Sequence, residues 1–139
     1  LSWITILKRR QGFRKAFHNF NIRKVAKMTD GDIERLMQDE GIIRNRAKIQ
    51  AIISNARLIL ELDQQLTQLI WSHAPKRAMV PASGFEFKAT TAESIALSKT
   101  LRGLGFLFVG PTTMYAMMQS IGMVNDHAPG CFRRNELRH

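Results

Sequence analysis

The sequence predicts an all-α domain, and three observations lead to that class. Apolar residues recur at helical spacing along most of the chain, beginning with Ile4 and Leu7 and continuing with Phe13, Phe17 and Phe20. Signals typical of helix ends interrupt this pattern at intervals. No two segments form a convincing strand pair, and the sequence contains neither a repeat nor a low-complexity tract. With 139 residues, the chain is long enough for one domain with a proper core.

The first third of the chain is predicted to form short helices. Asn21 is a suitable cap for a short helix that runs through Met28. Thr29 and Asp32 have the spacing of a capping box in which Asp replaces the usual Glu. Gly41 is expected to end the helix that this box begins.

A longer helix is predicted next, from about Arg44 to Leu62. It carries an apolar stripe that must be buried, formed by Ile49, Ile52, Ile53, Ala56, Ile59 and Leu60. A further helical turn or two is expected from Leu66 to Ser72. The segment from Ala74 to Lys88 contains two prolines and a glycine and is predicted to be irregular, with a brief extended piece at Phe85–Phe87.

The last third of the chain predicts a helix-hairpin-helix unit at about residues 91–121. Thr90 and Glu93 form a capping box for its first helix, and a glycine-bounded hairpin follows at Gly105–Gly110. Pro111, directly after that hairpin, is typical of the first position of a second helix. That helix and the turn after it carry a methionine-rich face, read as adaptable core filling: Met114, Met117, Met118 and Met123.

The hairpin and the start of the second helix predict a phosphate-binding site. Glycine-rich turns leave backbone N–H groups free, and a helix N-terminus adds positive partial charge. We therefore expect Gly105, Gly110, Thr112 and Thr113 to hold a DNA backbone without reading its base sequence.

Charge and composition narrow the partners and the compartment. Twenty-one Lys and Arg against 11 Asp and Glu give a net charge of +10, which favours a polyanion, nucleic acid before membrane. A merely basic protein is the plainer alternative. The apolar run Leu1–Leu7 is too short for a signal peptide, and its basic cluster follows it; no run approaches the length of a membrane span. A single cysteine suits a reducing compartment, so we expect a cytoplasmic protein.

His127 and Cys131 have the spacing of metal ligands, and zinc binds imidazole and thiolate in tetrahedral sites. Two ligands do not complete a site. The other histidines are His18, His73 and His139, and there is no second cysteine, so a closed site needs ligands from outside this chain. The alternative is a surface histidine and an unused thiol.

Other candidate residues each have two readings. Trp3 is expected in a core by default, although an indole face is also a platform for a base. Asp126 could act as a carboxylate base, or cap a turn. Arg44, Arg46 and Lys48 crowd the start of a helix, where the dipole disfavours cations; this suggests an external anion, or simply solvated charges.

Four ordered segments resemble the bacterial 3-methyladenine DNA glycosylase I family. They are LSWITILKRR, GIIRNRAKIQAIISNA, ALSKTLRGLGFLFVG and VNDHAPGC. The resemblance extends from Leu1 to about Cys131 and is least clear between Asp63 and Ala89. It implies a helix-hairpin-helix DNA repair enzyme that flips an alkylated base out of duplex DNA. The enzyme hydrolyses the N-glycosidic bond and releases 3-methyladenine.

The resemblance also implies residue roles. Trp3 would stack on the extruded base, and Leu1 would fill the vacated position in the duplex. His127 and Cys131 would be two of four ligands of a structural zinc. Asp126 lies near the position of the key carboxylate in the wider superfamily, but this branch is thought to do without that group. No lysine is placed as a Schiff-base nucleophile, which implies simple hydrolysis, and the single-site reaction implies a monomer.

Family residues that this chain lacks set a further expectation. The other zinc ligands, an aromatic pocket residue and a glutamate that reads the damaged base lie upstream of the LSW motif in the family. We therefore expect the chain to lack an N-terminal segment and to show weak or no activity alone.

Two other function classes stay open at this point. A non-catalytic helix-hairpin-helix DNA-binding module would share the hairpin and the charge but need no base pocket. A helical scaffold with incidental charge would bind duplex DNA without the steep salt dependence that phosphate contacts produce.

Overall fold

The computed structural model describes residues 2–137, which are helical and contain no β-strand. The predicted all-α class is confirmed. The α-helices of this range are α1 (Trp3–Lys8), α2 (Arg10–Ala16), α3 (Ile22–Ala26), α4 (Asp30–Leu36), α5 (Arg46–Glu61), α6 (Leu66–Trp71), α7 (Ala92–Gly103), α8 (Pro111–Ser120) and α9 (Arg133–Glu136).

Packing groups these elements into two compact units. Unit 1 contains the described residues up to Asp63 together with Gly105–Phe108, and unit 2 contains Gln64–Leu104 together with the described residues from Val109 onward. The prediction that the chain forms a single domain stays a prediction.

Unit 1 is built around the contact between α3 and α5. Its core includes the fully buried side chains of Phe17, Leu36 and Ile49. On the predicted apolar stripe of α5, Ile49, Ile53 and Ala56 are buried and Ile52 and Ile59 are half-buried, but Leu60 is 52% exposed. Leu60 lies on the last turn of α5 and lines a surface depression with charged residues such as Arg57, so the stripe stops short of the helix end.

The caps of unit 1 follow from its sequence, with two helix ends displaced: α3 ends at Ala26 and not at Met28, and α4 also ends early. The side chain of Asn21 accepts from the Lys24 N–H, and Thr29 and Asp32 form the predicted capping box. The helix α4 ends at Leu36 and not at Gly41. The intervening residues form turns, in which the Asp39 carboxylate accepts from the Gly41 N–H at 2.7 Å and so competes with the helical hydrogen bonds.

Unit 2 contains the two helices of the predicted helix-hairpin-helix, α7 and α8, which pack against each other. Leu97, Met118 and Met123 are fully buried in this unit, and Met114 is nearly so, which confirms the core role of most of the methionine face. The predicted capping box of α7 was wrong by one residue. Thr91 is the N-cap and exchanges hydrogen bonds with Ser94, because Thr91 has the extended backbone that precedes a helix.

The segment Ala74–Lys88 is irregular, as predicted, and it pairs with a later part of the chain at one point. Met79 forms an isolated parallel bridge with Asn125. Phe85–Phe87 belongs to no β-strand, helix or turn, so the extended piece stays a prediction; the rings of Phe85 and Phe87 meet edge to face with their centroids 5.1 Å apart. Within residues 2–137, every helix is too short or too polar to cross a membrane.

Candidate nucleic-acid interface and metal ligands

The tip of the hairpin, Gly105–Phe108, is held by α5 within unit 1. Gly105 has a φ of +97°, a conformation that L-residues rarely adopt. The amide of Asn55 donates to the Leu107 carbonyl at 3.0 Å and accepts from the Leu107 N–H at 2.9 Å. This reciprocal pair fixes the backbone at the tip.

Asn55 is a residue of this candidate site that the sequence analysis missed. Its signal was its place in the middle of a helix, where Asn is a poor helix former unless its amide has a specific partner.

The exposed face of the tip is apolar and has a cation beside it. Leu107 and Phe108 are about half exposed, and the Lys48 ammonium lies 5.8 Å from the centre of the Phe108 ring. Arg46, by contrast, forms a bidentate pair with the Glu34 carboxylate at 2.5 and 2.8 Å, which lowers the pKa of Glu34. Arg46, one of the cations at the start of α5, is therefore paired with a carboxylate of the protein itself. No external anion is needed to balance its charge.

The start of α8 in unit 2 has the form expected of an anion site. Gly110 is the N-cap and provides no side-chain cap, and Pro111 occupies the first helical turn. The N–H groups of Thr112 and Thr113 have no acceptor within the helix, and both residues are exposed. A Cβ on Gly110 would lie 3.5 Å from the guanidinium of Arg102, so a cation stands directly beside this helix start. The sequence analysis did not single out Arg102.

The approach to α8 is anchored by a buried hydroxyl. Ser98, on α7, is 3% exposed and donates to the Val109 carbonyl at 2.7 Å. This bond fixes the residue that precedes Gly110, so the helix start is held in place before any ligand binds.

Trp3 is not a core residue. It occupies the first position of α1, where Ser2 caps the helix, and its side chain is 82% exposed. The default expectation of core packing was therefore wrong. Its stacking role stays a prediction, and Leu1, the expected plug, lies outside the described residues.

His127 and Cys131 are brought together in unit 2. The His127 Nδ1 and the Cys131 Sγ are 3.6 Å apart. Ligand distances of about 2.3 Å for sulfur and about 2.1 Å for nitrogen, at a tetrahedral angle, separate the two donors by about 3.6 Å. The pair therefore has the spacing of two ligands of one zinc. Within residues 2–137, no third His, Cys, Asp or Glu joins them in a group that could hold a metal.

Asp126 is tied to α8 through a single oxygen. Its Oδ2 accepts from the Tyr115 hydroxyl at 2.7 Å and from the Gln119 amide at 2.5 Å. Burial of Tyr115 and its bond to Asp126 raise the pKa of that hydroxyl well above its usual value, so it remains a donor. Asp126 also lines an open pocket of about 360 Å³ with His127 and Gln119. Both partners are side chains of α8, so these bonds do not make Asp126 a backbone cap, and its catalytic role stays a prediction.

Comparison with known proteins places the chain in a family. The methyladenine glycosylase family profile matches residues 1–134. The chain is 48% identical to DNA-3-methyladenine glycosylase 1 of Escherichia coli K12, over 94% of this chain and 73% of that protein.

Solved structures agree with this relationship. The crystal structure of a 3-methyladenine DNA glycosylase I superposes with a TM-score of 0.87 at 45% identity, over 95% of this chain and 75% of that chain. The Staphylococcus aureus 3-methyladenine DNA glycosylase I, solved to explain recognition of 3-methyladenine, gives a TM-score of 0.86 at 31% identity, over 96% and 74%. The chain belongs to the methyladenine glycosylase family.

Proposed function

We propose that this chain acts as a DNA-3-methyladenine glycosylase, which hydrolyses the N-glycosidic bond of 3-methyladenine in alkylated duplex DNA. The observation that supports base recognition most directly is Trp3, an indole left 82% exposed at the start of α1 in a member of this family. A large aromatic side chain is usually buried, and an exposed one is suited to stacking on a base outside the duplex.

The chemistry of the substrate sets the enzyme's task. Methylation at N3 leaves the adenine cationic, so the base is already a good leaving group. The enzyme has to extract the nucleotide, distinguish it from adenine, and stabilise the positive charge that develops on the sugar.

The grip on DNA is assigned to the hairpin tip and to the start of α8. Gly105 allows the tight turn, Asn55 fixes the tip, and the free N–H groups of Thr112 and Thr113 would donate to the oxygens of a phosphate beside Gly110. Contacts of this kind position a protein on the backbone and contain no sequence information. They suit an enzyme that must find damage in any sequence.

The remaining roles are proposed from the family. Leu1 would occupy the position vacated by the flipped base, and a family glutamate that precedes the LSW motif would read the damaged base. The enzyme would act as a monomer. Asp126 has a low claim to a catalytic role, because its Oδ2 is already engaged by Tyr115 and Gln119.

His127 and Cys131 would provide two ligands of a structural zinc. Their donor atoms, Nδ1 and Sγ, are 3.6 Å apart, which fits two ligands of one tetrahedral metal. Imidazole with thiolate is a donor set that zinc prefers. The metal would crosslink distant parts of the chain and would leave no open position for chemistry. His127 and Cys131 would hold the metal and so fix the loop between them, and the metal would take no part in bond cleavage.

The experiment is release of free 3-methyladenine from methylated duplex DNA, detected by chromatography. It compares the 139-residue chain with a chimera in which the upstream segment of the Escherichia coli relative precedes Leu1. We expect release by the chimera and weak or no release by the chain alone. A chimera that folds and binds duplex DNA but frees no base would contradict the proposal and favour a non-catalytic DNA-binding module.

A further inference from the structure

Arg134 is a buried cation in unit 2 that the glycosylase chemistry does not use. It belongs to the short helix α9 and is only 6% exposed. Within residues 2–137 it forms no salt bridge, whereas its neighbour Arg133 pairs with Glu136 on the surface. Removing a guanidinium from water is costly unless other groups replace the lost hydration, so its partners are informative.

Those partners are backbone carbonyls from two separate segments. One end of the guanidinium donates to the His127 carbonyl at 2.6 Å, and the other end donates to the Val80 carbonyl. The ring of Phe85 lies 5.9 Å from the guanidinium carbon and adds a cation–π contact. The planar, forked guanidinium can bridge two such acceptors at once, which a lysine ammonium cannot do with the same geometry.

Asn125 completes the connection from the other side. It is 6% exposed, and its side-chain amide donates to the Arg134 carbonyl at 2.9 Å. Its backbone pairs with the same irregular segment: its N–H donates to the Ala78 carbonyl at 2.7 Å, and its carbonyl accepts from the Val80 N–H at 2.9 Å. Three segments of chain are therefore joined through Arg134 and Asn125.

The clamped loop is the one that contains the His127–Cys131 pair. Arg134 binds the carbonyl of His127 itself, and the Arg134 N–H donates to the Cys131 carbonyl at 3.1 Å. Arg134 thus contacts the backbone of both candidate ligands, that of His127 through its guanidinium and that of Cys131 through its own main-chain N–H. Groups that orient a metal ligand without touching the metal commonly change the affinity of the site for that metal.

We propose that Arg134 is a positioning residue that holds His127 and Cys131 at ligand spacing before a metal binds. The part of this proposal that concerns metal affinity rests on the proposed zinc site. The part that concerns the metal-free loop rests on the observed geometry alone. The planar guanidinium of Arg134, and not its positive charge alone, aligns the loop. A lysine in its place is therefore not expected to replace it.

The test uses Arg134→Gln and Arg134→Lys, with Arg133→Gln as the matched control on the same helix. Because Cys131 is the only cysteine in the chain, a thiol reagent reports on that residue alone. The first arm measures the rate of Cys131 modification in metal-free protein. The second arm measures Co²⁺ binding from thiolate-to-cobalt absorption, with Zn²⁺ competition for affinity. Circular dichroism and thermal unfolding report on the fold.

We expect both Arg134 variants to react faster at Cys131 and to bind metal about 10-fold or more weakly, with Arg133→Gln unchanged. Equal thiol rates in all four proteins, or an Arg134→Lys that matches wild type, would overturn the proposal. Global unfolding of both Arg134 variants would also overturn the proposal, because it would show that Arg134 stabilises the whole fold and does not act specifically on the loop. If wild type binds no Co²⁺, the zinc proposal fails, while the thiol rates still decide the role of Arg134.

Discussion

At the scale of single residues, the hydrogen bond between Tyr115 and Asp126 shows how burial and charge act together. The tyrosine is 3% exposed and donates to a carboxylate that also accepts from Gln119. Burial and then the carboxylate raise the pKa of the Tyr115 hydroxyl above its usual value of 10.0. When a group has a higher pKa in the folded protein than in the unfolded chain, the unfolded chain loses its proton first as the pH rises. Above the pKa of the unfolded chain, a further rise in pH therefore lowers the free energy of unfolding.

We therefore expect the free energy of unfolding to fall as the pH rises above about 10, and Tyr115→Phe to reduce that dependence. At neutral pH this variant should lose about 1–2 kcal/mol, because Asp126 loses one of two donors. Urea unfolding between pH 7 and 11 measures both effects. A Tyr115→Phe protein with the stability and pH profile of wild type would show that the bond has no energetic role.

At the scale of elements, two glycines of unit 1 have opposite roles. A Cβ on Gly12, within α2, would lie 1.9 Å from the Gly41 carbonyl oxygen, which is backbone and cannot move aside easily. A Cβ on Gly31, within α4, would meet only the Thr29 hydroxyl at 3.6 Å. Gly12 therefore permits a close approach of two chain segments, whereas Gly31 has room for a side chain.

We expect Gly12→Ala to lower the free energy of unfolding by about 1–3 kcal/mol through overpacking. Gly31→Ala, the matched control, should stabilise the protein by up to about 1 kcal/mol, because alanine is the better helix former. Chemical denaturation of both variants gives the comparison. Equal effects of the two substitutions would show that the contact with Gly41 relaxes at no cost.

The hairpin tip depends on a side chain from another element. Asn55→Ala removes both hydrogen bonds to Leu107, and we expect the tip to become mobile and duplex affinity to fall several-fold. Gln50→Ala, exposed on the same helix, is the control. Hydrogen exchange at the Leu107 amide reports on the tip, and fluorescence anisotropy reports on affinity. Unchanged exchange at Leu107 would contradict the assigned role of Asn55.

At the scale of the whole molecule, the net charge of +10 predicts binding to duplex DNA that weakens steeply with salt. If Arg102 contributes one phosphate contact beside Gly110, Arg102→Gln should reduce the slope of log affinity against log salt by about 1. Lys88→Gln removes the same charge from an exposed site in the irregular segment and serves as the control. Equal slopes for both variants would place Arg102 outside the interface.

Much of the fold was predictable because its signals are local. Capping at Asn21 and Thr29, and the proline at position 111, depend on residues a few positions apart. The exposure of Leu60 was not predictable, because it depends on what packs nearby, whereas the end of α4 has a local cause in the Asp39 turn that was overlooked. At the site, periodicity alone placed Trp3 in a core; only the family resemblance indicated otherwise. Arg134 gave no signal, since its partners are backbone carbonyls, which any residue type supplies, and one of them, that of Val80, is distant in sequence.

The most direct test of the account compares base release with DNA binding in Trp3→Ala, made in the chimera that includes the upstream family segment. Trp71→Ala, which removes the other tryptophan, is the control. Loss of a stacking platform should reduce release of 3-methyladenine by about 10- to 100-fold while duplex affinity changes little. Equal losses of release and affinity in Trp3→Ala, or full activity, would contradict the assignment of Trp3 as the residue that receives the flipped base.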